Sequence, residues 1–380
     1  MSSDPLRPAP PRERLRAVAE AFAIAGRWVS SAPYGNGHIN ETLVAVFDEG
    51  GRETRYLHQR INRRVFAEPE KLMENIARVT AHQRAALARE GLPDAERRAL
   101  SLVPTRDGTP FHRDAEGESW RTYRFIERAH SREVVGSAAD ALAAAEAFAR
   151  FQAQLADLPG ARLHETIPRF HDARHRFETL LHAAREDSER RLAGCRAELD
   201  AIRVRESALD ALRPAELPER IAHNDTKLNN VLLDDETGEA VCIIDLDTVM
   251  PGPVLHDFGD LVRTATSTAA EDERDLSRVR VEPPLFAALV EGYLRGARSF
   301  LTGAERAALV PSGRLVTLVL AMRFLADHLA GDRYFRIHRA GHNLDRCRAQ
   351  LRLVESMEEQ RARMDELVED AAARRRLLDG

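Results

Sequence analysis

The sequence predicts an α+β protein with two lobes: a small antiparallel-sheet N-terminal lobe over residues 1–127 and a mainly helical C-terminal lobe over residues 128–380. Two observations predict the division. Strand-like runs such as Leu43–Phe47 and Thr54–Arg60, rich in β-branched and aromatic residues, crowd into the first third. Beyond Glu127 the pattern is mostly helical, interrupted only by a loop and two short strands around residues 220–250. A chain of 380 residues is also long enough for two cores.

The elements follow in order. Residues 1–11 are Pro-rich and read as a mobile tail. Arg12, Arg14 and Arg16 then precede an apolar segment, Ala17–Ala25, that loosely mimics a signal peptide; Glu20 interrupts it, and an amphipathic first helix fits better. Leu43–Phe47 and Thr54–Arg60 form a hairpin around Asp48-Glu49-Gly50-Gly51. Pro69 to Leu87 is helical, with apolar Leu72, Met73, Ile76 and Val79 on one face. Ser101–Pro104 and Trp120–Ile126 are two further strands. In the second lobe Ala138–Leu158 is an Ala-rich helix closed by Pro159-Gly160, and residues 174–211 are charged helix faces. Helices follow at 284–298, 304–310, 312–330 and 343–376.

Composition excludes several function classes. A net charge of -5 with mixed signs argues against a broad grip on nucleic acid. Cys195, Cys242 and Cys347 are scattered, which points to a reducing cytoplasm rather than a disulfide framework or a Cys-based zinc site. No uninterrupted run of about 18 apolar residues is present, so no membrane span is expected.

The chemistry concentrates in His223-Asn224-Asp225-Thr226-Lys227-Leu228-Asn229-Asn230, followed by the apolar run Val241–Ile244 that ends in Asp245. His-x-Asp followed five residues later by Asn matches the protein-kinase catalytic loop at its three defining positions. In that pattern Asp225 accepts the proton of a hydroxyl, Asn230 and Asp245 offer oxygen ligands to Mg²⁺, and Lys227 reaches a transferred phosphate as a point charge. The chain holds only two lysines, Lys71 and Lys227, among 56 basic residues. A lysine kept in this loop suggests a need for a compact ammonium that a planar guanidinium does not meet. Asp247 is a competing metal ligand; alternation along the same apparent strand puts it on the same side as Asp245, where a supporting role is the alternative.

The loop, the Ile243-Ile244-Asp245-Leu246-Asp247 segment and Asp257-Phe258-Gly259-Asp260 resemble the aminoglycoside phosphotransferase and choline kinase superfamily. More narrowly, the chain resembles the bacterial N-acetylhexosamine 1-kinases over about residues 34–356. The matching blocks include Gly37–Thr42, Gln59–Asn62, Leu72–Ile76, His164–Pro168, Phe170–Asp172, Asp245–Gly252, Arg323–Asp327, Tyr334-Phe335 and His342–Arg346. The resemblance implies a bilobal protein-kinase-like fold and transfer of phosphate from ATP, with Mg²⁺, to a sugar hydroxyl. The anomeric C1 hydroxyl of N-acetylglucosamine or N-acetylgalactosamine is the expected acceptor.

Further site residues follow from that likeness. Gly35 and Gly37 would bring backbone N–H groups to phosphates. The strand lysine of kinase-like folds is missing; Arg60 is its expected substitute, paired with Glu74, although Gln59 points to the opposite strand face and which of the two faces inward stays open. Glu127 ends the strand beside which adenine would lie. His38, Asn40, Arg323 and Tyr334 would contact the sugar.

Between residues 320 and 350 there are six arginines, three aspartates and three histidines, a poor match for a polycationic antibiotic. Other readings are a kinase for another small hydroxyl compound (a different sugar, homoserine or an aminoglycoside) and a nucleotide-binding pseudokinase. The expected partners are a nucleotide and a small sugar, without nucleic acid or membrane, for a cytoplasmic monomer or homodimer.

Overall fold

The computed structural model describes residues 10–35, 39–92, 94–212 and 217–379. The expected tail, up to residue 9, lies outside them. The described chain forms two compact units, one of residues 10–129 with 161–167, the other of 130–160 with 168–379. The segment 161–167 therefore groups with the first unit, not with the 128–380 span to which sequence reading assigned it.

The first unit is built on an antiparallel sheet. It comprises α1 (Arg12–Ala21), β1 (Arg27–Pro33), β2 (Glu41–Asp48), β3 (Glu53–Arg60), α2 (Pro69–Glu90), β4 (Leu102–Val103), β5 (His112–Arg113) and β6 (Ser119–Arg124). The strand order is β1-β2-β3-β6-β4, with β5 also on β6. Alternation along β2 puts Leu43, Ala45 and Phe47 on one face, where they pack with Trp28, Tyr56, Trp120 and the α1 residues Val18 and Ala19. The strand β1 was not expected from sequence. It is exposed at most positions and buries only Trp28, so its backbone pairing with β2 carries it.

Pro69 opens α2 at its first turn and Gly91 closes it in the left-handed conformation. An amide clamp explains why 161–167 joins this unit: Asn75 donates to the His164 carbonyl (2.8 Å) and accepts its N–H (3.0 Å).

The second unit contains, after the two-residue strand β7 (Ala129–His130) at the junction, α3 (Ala138–Leu155), α4 (Ala173–Glu186), α5 (Arg196–Arg203), β8 (Arg220–Ala222), β9 (Val231–Asp234), β10 (Ala240–Ile243), β11 (Met250–Gly252), α6 (Leu255–Ala265), α7 (Pro283–Gly296), α8 (Gly303–Ala307), α9 (Leu309–Leu329), α10 (His342–Glu359) and α11 (Arg361–Asp379). The expected single helix 343–376 is two helices that meet at Gln360. Its side chain donates to the Val281 carbonyl (3.0 Å).

Helix α9 is apolar and long enough to cross a membrane by length and composition, but most of it is buried in the unit, against α4, α6 and α10. Gly259 of α6 lets α9 approach: a Cβ there would lie 2.5 Å from the Ser312 carbonyl oxygen. The pairs β9–β10 and β8–β11 are antiparallel hairpin-like ladders that bracket the loop 223–230.

Candidate active site

The loop 223–230 leaves β8 and is tied down from below by α6. Asp257 Oδ1 accepts the Asn224 N–H (2.6 Å), and Oδ2 accepts the His223 N–H (2.8 Å) and Gln152 Nε2 (2.7 Å). One turn later Asp260 accepts the Thr226 N–H (2.9 Å), and the Thr226 hydroxyl donates to the Asp257 carbonyl (2.7 Å). Burial pushes the Asp257 carboxyl up to about 7, against the pull of its three N–H donors. Asp260 is balanced by buried Arg263, which also reaches Glu271 (2.7 Å).

His223 is an anchor in this arrangement. Its ring lies edge-on between Phe148 and Phe151 and contacts the Ile244 carbonyl through Nε2 (3.0 Å). Burial lowers its pKa, so the ring stays neutral and Nε2 is the donor. The Ile244 N–H in turn donates to the Asn230 carbonyl (2.9 Å). These two bonds fix the backbone just before Asp245.

Three of the predicted residues converge. Lys227 Nζ sits 2.8 Å from Asp225 Oδ1, and Asn230 Nδ2 donates to Asp225 Oδ2 (3.1 Å) and to its carbonyl (2.8 Å). Burial would raise the Asp225 pKa, but the Lys227 ammonium beside it more than offsets this and holds it below the usual carboxylate range. Burial would lower the Lys227 pKa, and Asp225, Glu271 and Asp260 raise it instead. Both groups are therefore charged throughout the neutral range. Asp245 is exposed, two residues beyond the end of β10, with a φ of 60°. A left-handed non-glycine residue costs on the order of 1–3 kcal/mol and persists where its surroundings fix it, as the Ile244 bonds do here. Asp247 departs from expectation. β10 stops at Ile243, and Asp247 is buried within a 3₁₀ turn, Leu246–Thr248, so strand alternation does not apply to it.

A second group adjoins the loop. The His171 ring donates from Nε2 to the Asn224 carbonyl (3.1 Å) and stacks at a tilt on His256 with centroids 4.8 Å apart. Burial drives His171 down to about 3 and lowers His256 well below its ordinary value, so both are neutral. Arg323 lies over the rings of Phe170 (4.8 Å), Phe335 (5.3 Å) and Tyr334 (5.4 Å), and its Nη2 donates to the Tyr334 hydroxyl (3.3 Å). The Tyr334 loop is held by Asp327, one turn beyond Arg323, whose carboxylate accepts the N–H groups of Arg333, Tyr334 and Phe335 and the Asn343 amide. Arg323 and Tyr334 thus do meet.

In the first unit the expected pairs rearrange. Arg60 does not meet Glu74. It pairs with Glu41 (2.6 Å), its cross-strand partner, and lies 3.9 Å from Glu118. Glu74 bonds His164 (2.9 Å) instead. Gln59 accepts from Arg121 Nε (2.9 Å) and donates to Thr42 (3.0 Å). Arg121, on β6 directly opposite Gln59, is a fully buried guanidinium that sequence reading passed over; the strand register would have found it. Glu127 forms a two-pronged, exposed pair with Arg55. Asn40 accepts the Asn62 N–H (3.0 Å), pinning its loop to the end of β3. Gly35 turns the chain with a φ of +75°. Gly37 and His38 lie outside the described residues.

A carboxylate beside an ammonium and a carboxamide, followed by an aspartate at a strand end, provides the parts for moving a phosphoryl group to a hydroxyl. Residues 30–310 match the model of the APH phosphotransferase enzyme family. The chain belongs to that family. Its fold is similar to that of an aminoglycoside phosphotransferase from Alicyclobacillus acidocaldarius, with a TM-score of 0.61 and 16% identity over 97% of this chain and 99% of that one. A spectinomycin phosphotransferase solved with ADP and spectinomycin gives 0.55 and 11% over 93% and 99%. A microcompartment-associated aminopropanol kinase gives 0.53 and 16% over 92% and 97%. At these identities the likeness is one of fold: a sheet-based N-terminal region and a helical C-terminal region of the protein-kinase-like type.

Proposed function

We propose that this phosphotransferase uses ATP and Mg²⁺ to phosphorylate the anomeric C1 hydroxyl of an N-acetylhexosamine. The observation that carries the phosphoryl-transfer reading is the Asp225 carboxylate held 2.8 Å from Lys227 and 3.1 Å from Asn230. An anomeric hydroxyl is the most acidic on a sugar, so a carboxylate of low basicity suffices to take its proton. Lys227 neutralises charge on the phosphate in flight.

The donors available suit Mg²⁺, a hard cation that takes one or two protein oxygens plus phosphate and water. Asn230 spends its amide N–H on Asp225 and so offers its oxygen; Asp245 offers a carboxylate. Held by these two residues, the ion would supply positive charge that neutralises the donor phosphates. In the first unit, Gly35 stands beside the expected phosphate loop. The Arg60–Glu74 pairing is not part of this proposal.

The acceptor side supports a polar, non-cationic substrate. Arg323 and Tyr334 present hydrogen-bonding groups beside aromatic rings, and guanidinium groups there oppose a polycationic antibiotic. The test is ADP release from purified protein with N-acetylglucosamine, N-acetylgalactosamine, other sugars, homoserine, choline and kanamycin. Phosphorus NMR then reads the product position. A C1-phosphorylated hexosamine is expected; turnover confined to homoserine, choline or kanamycin defeats the sugar assignment. Asp225→Ala should abolish turnover while nucleotide still binds, and near-normal turnover would remove Asp225 from its role.

A further inference from the structure

Arg176 adds a second cation to the Arg323 cluster. It extends from α4, is half-buried, and donates from Nε to the Phe170 carbonyl (3.0 Å). Arg323 lies over the ring of that same Phe170. Among the described residues neither guanidinium forms an ion pair with a carboxylate. The nearby Asp172 is committed elsewhere: it pairs with Arg169 (2.8 Å) and caps α4 through the His175 N–H (2.9 Å). Burial and then the charge of Arg323 bring the Arg176 pKa down to about 10, a fall that the smaller opposing pulls of Tyr334 and Asp172 do not cancel.

The pair is also pre-shaped. Three aromatic faces hold Arg323 in place without consuming its N–H donors. Of the five N–H groups on each guanidinium, the protein engages one on Arg323 and one on Arg176 among the described residues. The cluster borders the catalytic loop: the buried His171 ring, bonded to the Asn224 carbonyl, lies within the fields of both Arg323 and Asp225.

We infer that Arg176 and Arg323 form a carboxylate-binding subsite, so that the acceptor is an N-acetylhexosamine bearing a carboxylate. This rests on the sugar-kinase reading above and narrows it. A planar carboxylate matches the guanidinium fork in two-pronged geometry, and one negative charge relieves the repulsion between the two cations. A neutral sugar leaves that repulsion in place. Arg176 is thereby a specificity-determining residue.

The experiment compares kcat/KM for N-acetylglucosamine with that for its C6 uronate and its O3-carboxymethyl ether, in wild type, Arg176→Gln and Arg176→Lys. N-acetylglucosamine 6-phosphate serves as the phosphate arm. The expected result is a preference of roughly 10- to 100-fold for a carboxylate sugar over the neutral one, the scale of a charge-assisted hydrogen-bond pair. In Arg176→Gln that ratio should collapse towards one through KM, and Arg176→Lys should restore part of it. Thermal unfolding establishes that both variants are folded. A wild type that uses the neutral sugar as well as the acidic ones, or an acid-to-neutral ratio that Arg176→Gln leaves intact, overturns the subsite alone. Preference for the 6-phosphate overturns the carboxylate assignment. Turnover of no sugar at all overturns the function reading and this inference together.

Discussion

Asp257→Asn tests whether α6 holds the loop that carries Asp225. The substitution keeps shape and volume but turns one acceptor oxygen into a donor. If the new NH₂ replaces Oδ2, it faces the His223 N–H at 2.8 Å; Gln152, also on that oxygen, can flip its amide to compensate. If the NH₂ replaces Oδ1, it faces the Asn224 N–H at 2.6 Å. Either way one buried backbone N–H beside Asp225 loses its acceptor. An orphaned buried donor costs about 1–3 kcal/mol. The strain can be relieved only by moving the loop, and a displacement near 1 Å at a reacting group costs about 100-fold in rate. Urea unfolding should therefore give a loss of about 1–3 kcal/mol. Steady-state kinetics should give kcat lower by roughly 10- to 100-fold, with the nucleotide KM little altered. A variant with unchanged unfolding midpoint and unchanged kcat would refute the claim that the Asp257 carboxylate sets the loop.

Lys227→Arg should lower kcat by roughly 10- to 100-fold, because a longer, planar guanidinium spreads the charge that the compact ammonium holds 2.8 Å from Asp225; initial-rate kinetics checks it. Gly259→Ala should destabilise by about 1–3 kcal/mol in chemical denaturation, because its Cβ would press on the Ser312 carbonyl and part α6 from α9. Burial holds His58 at about 4, below its ordinary 6.5, so its contribution is full above pH 6.5 and disappears as pH falls through 4. The total loss across that window amounts to about 3 kcal/mol, and His58→Gln should flatten the acid side of the stability curve measured by thermal unfolding.

How legible each part was follows from how far apart its residues lie. Asp225, Lys227 and Asn230 fall within six residues, so their spacing alone implied a meeting that the geometry bears out. Asp257 and Asp260 lie more than thirty residues downstream of the loop they hold, and nothing local marks what they bind. Arg60 is an instructive error. The turn lies at residues 49–52, with Asp48 opposite Glu53, and so sets Glu41 opposite Arg60; the expected turn at 48–51 would have shifted Arg60 by two positions and hidden that partner. The helix break at Gln360 was hidden for the opposite reason: its side chain bonds Val281, on a distant segment.

Spacing within one stretch of chain, and the alternation of residues along strands, determined the fold class, the sheet-then-helix order and the meeting of Asp225 with Lys227 and Asn230. These are local quantities, set by backbone geometry over a few residues. Only the tertiary structure decided which charges have partners. It gave Arg60 to Glu41, buried Arg121 against Gln59, and brought Arg176 and Arg323 to the same Phe170 with no carboxylate ion pair on either among the described residues. A charge's partner depends on which surfaces fold together, and burial then makes the presence or absence of that partner costly enough to shape the site.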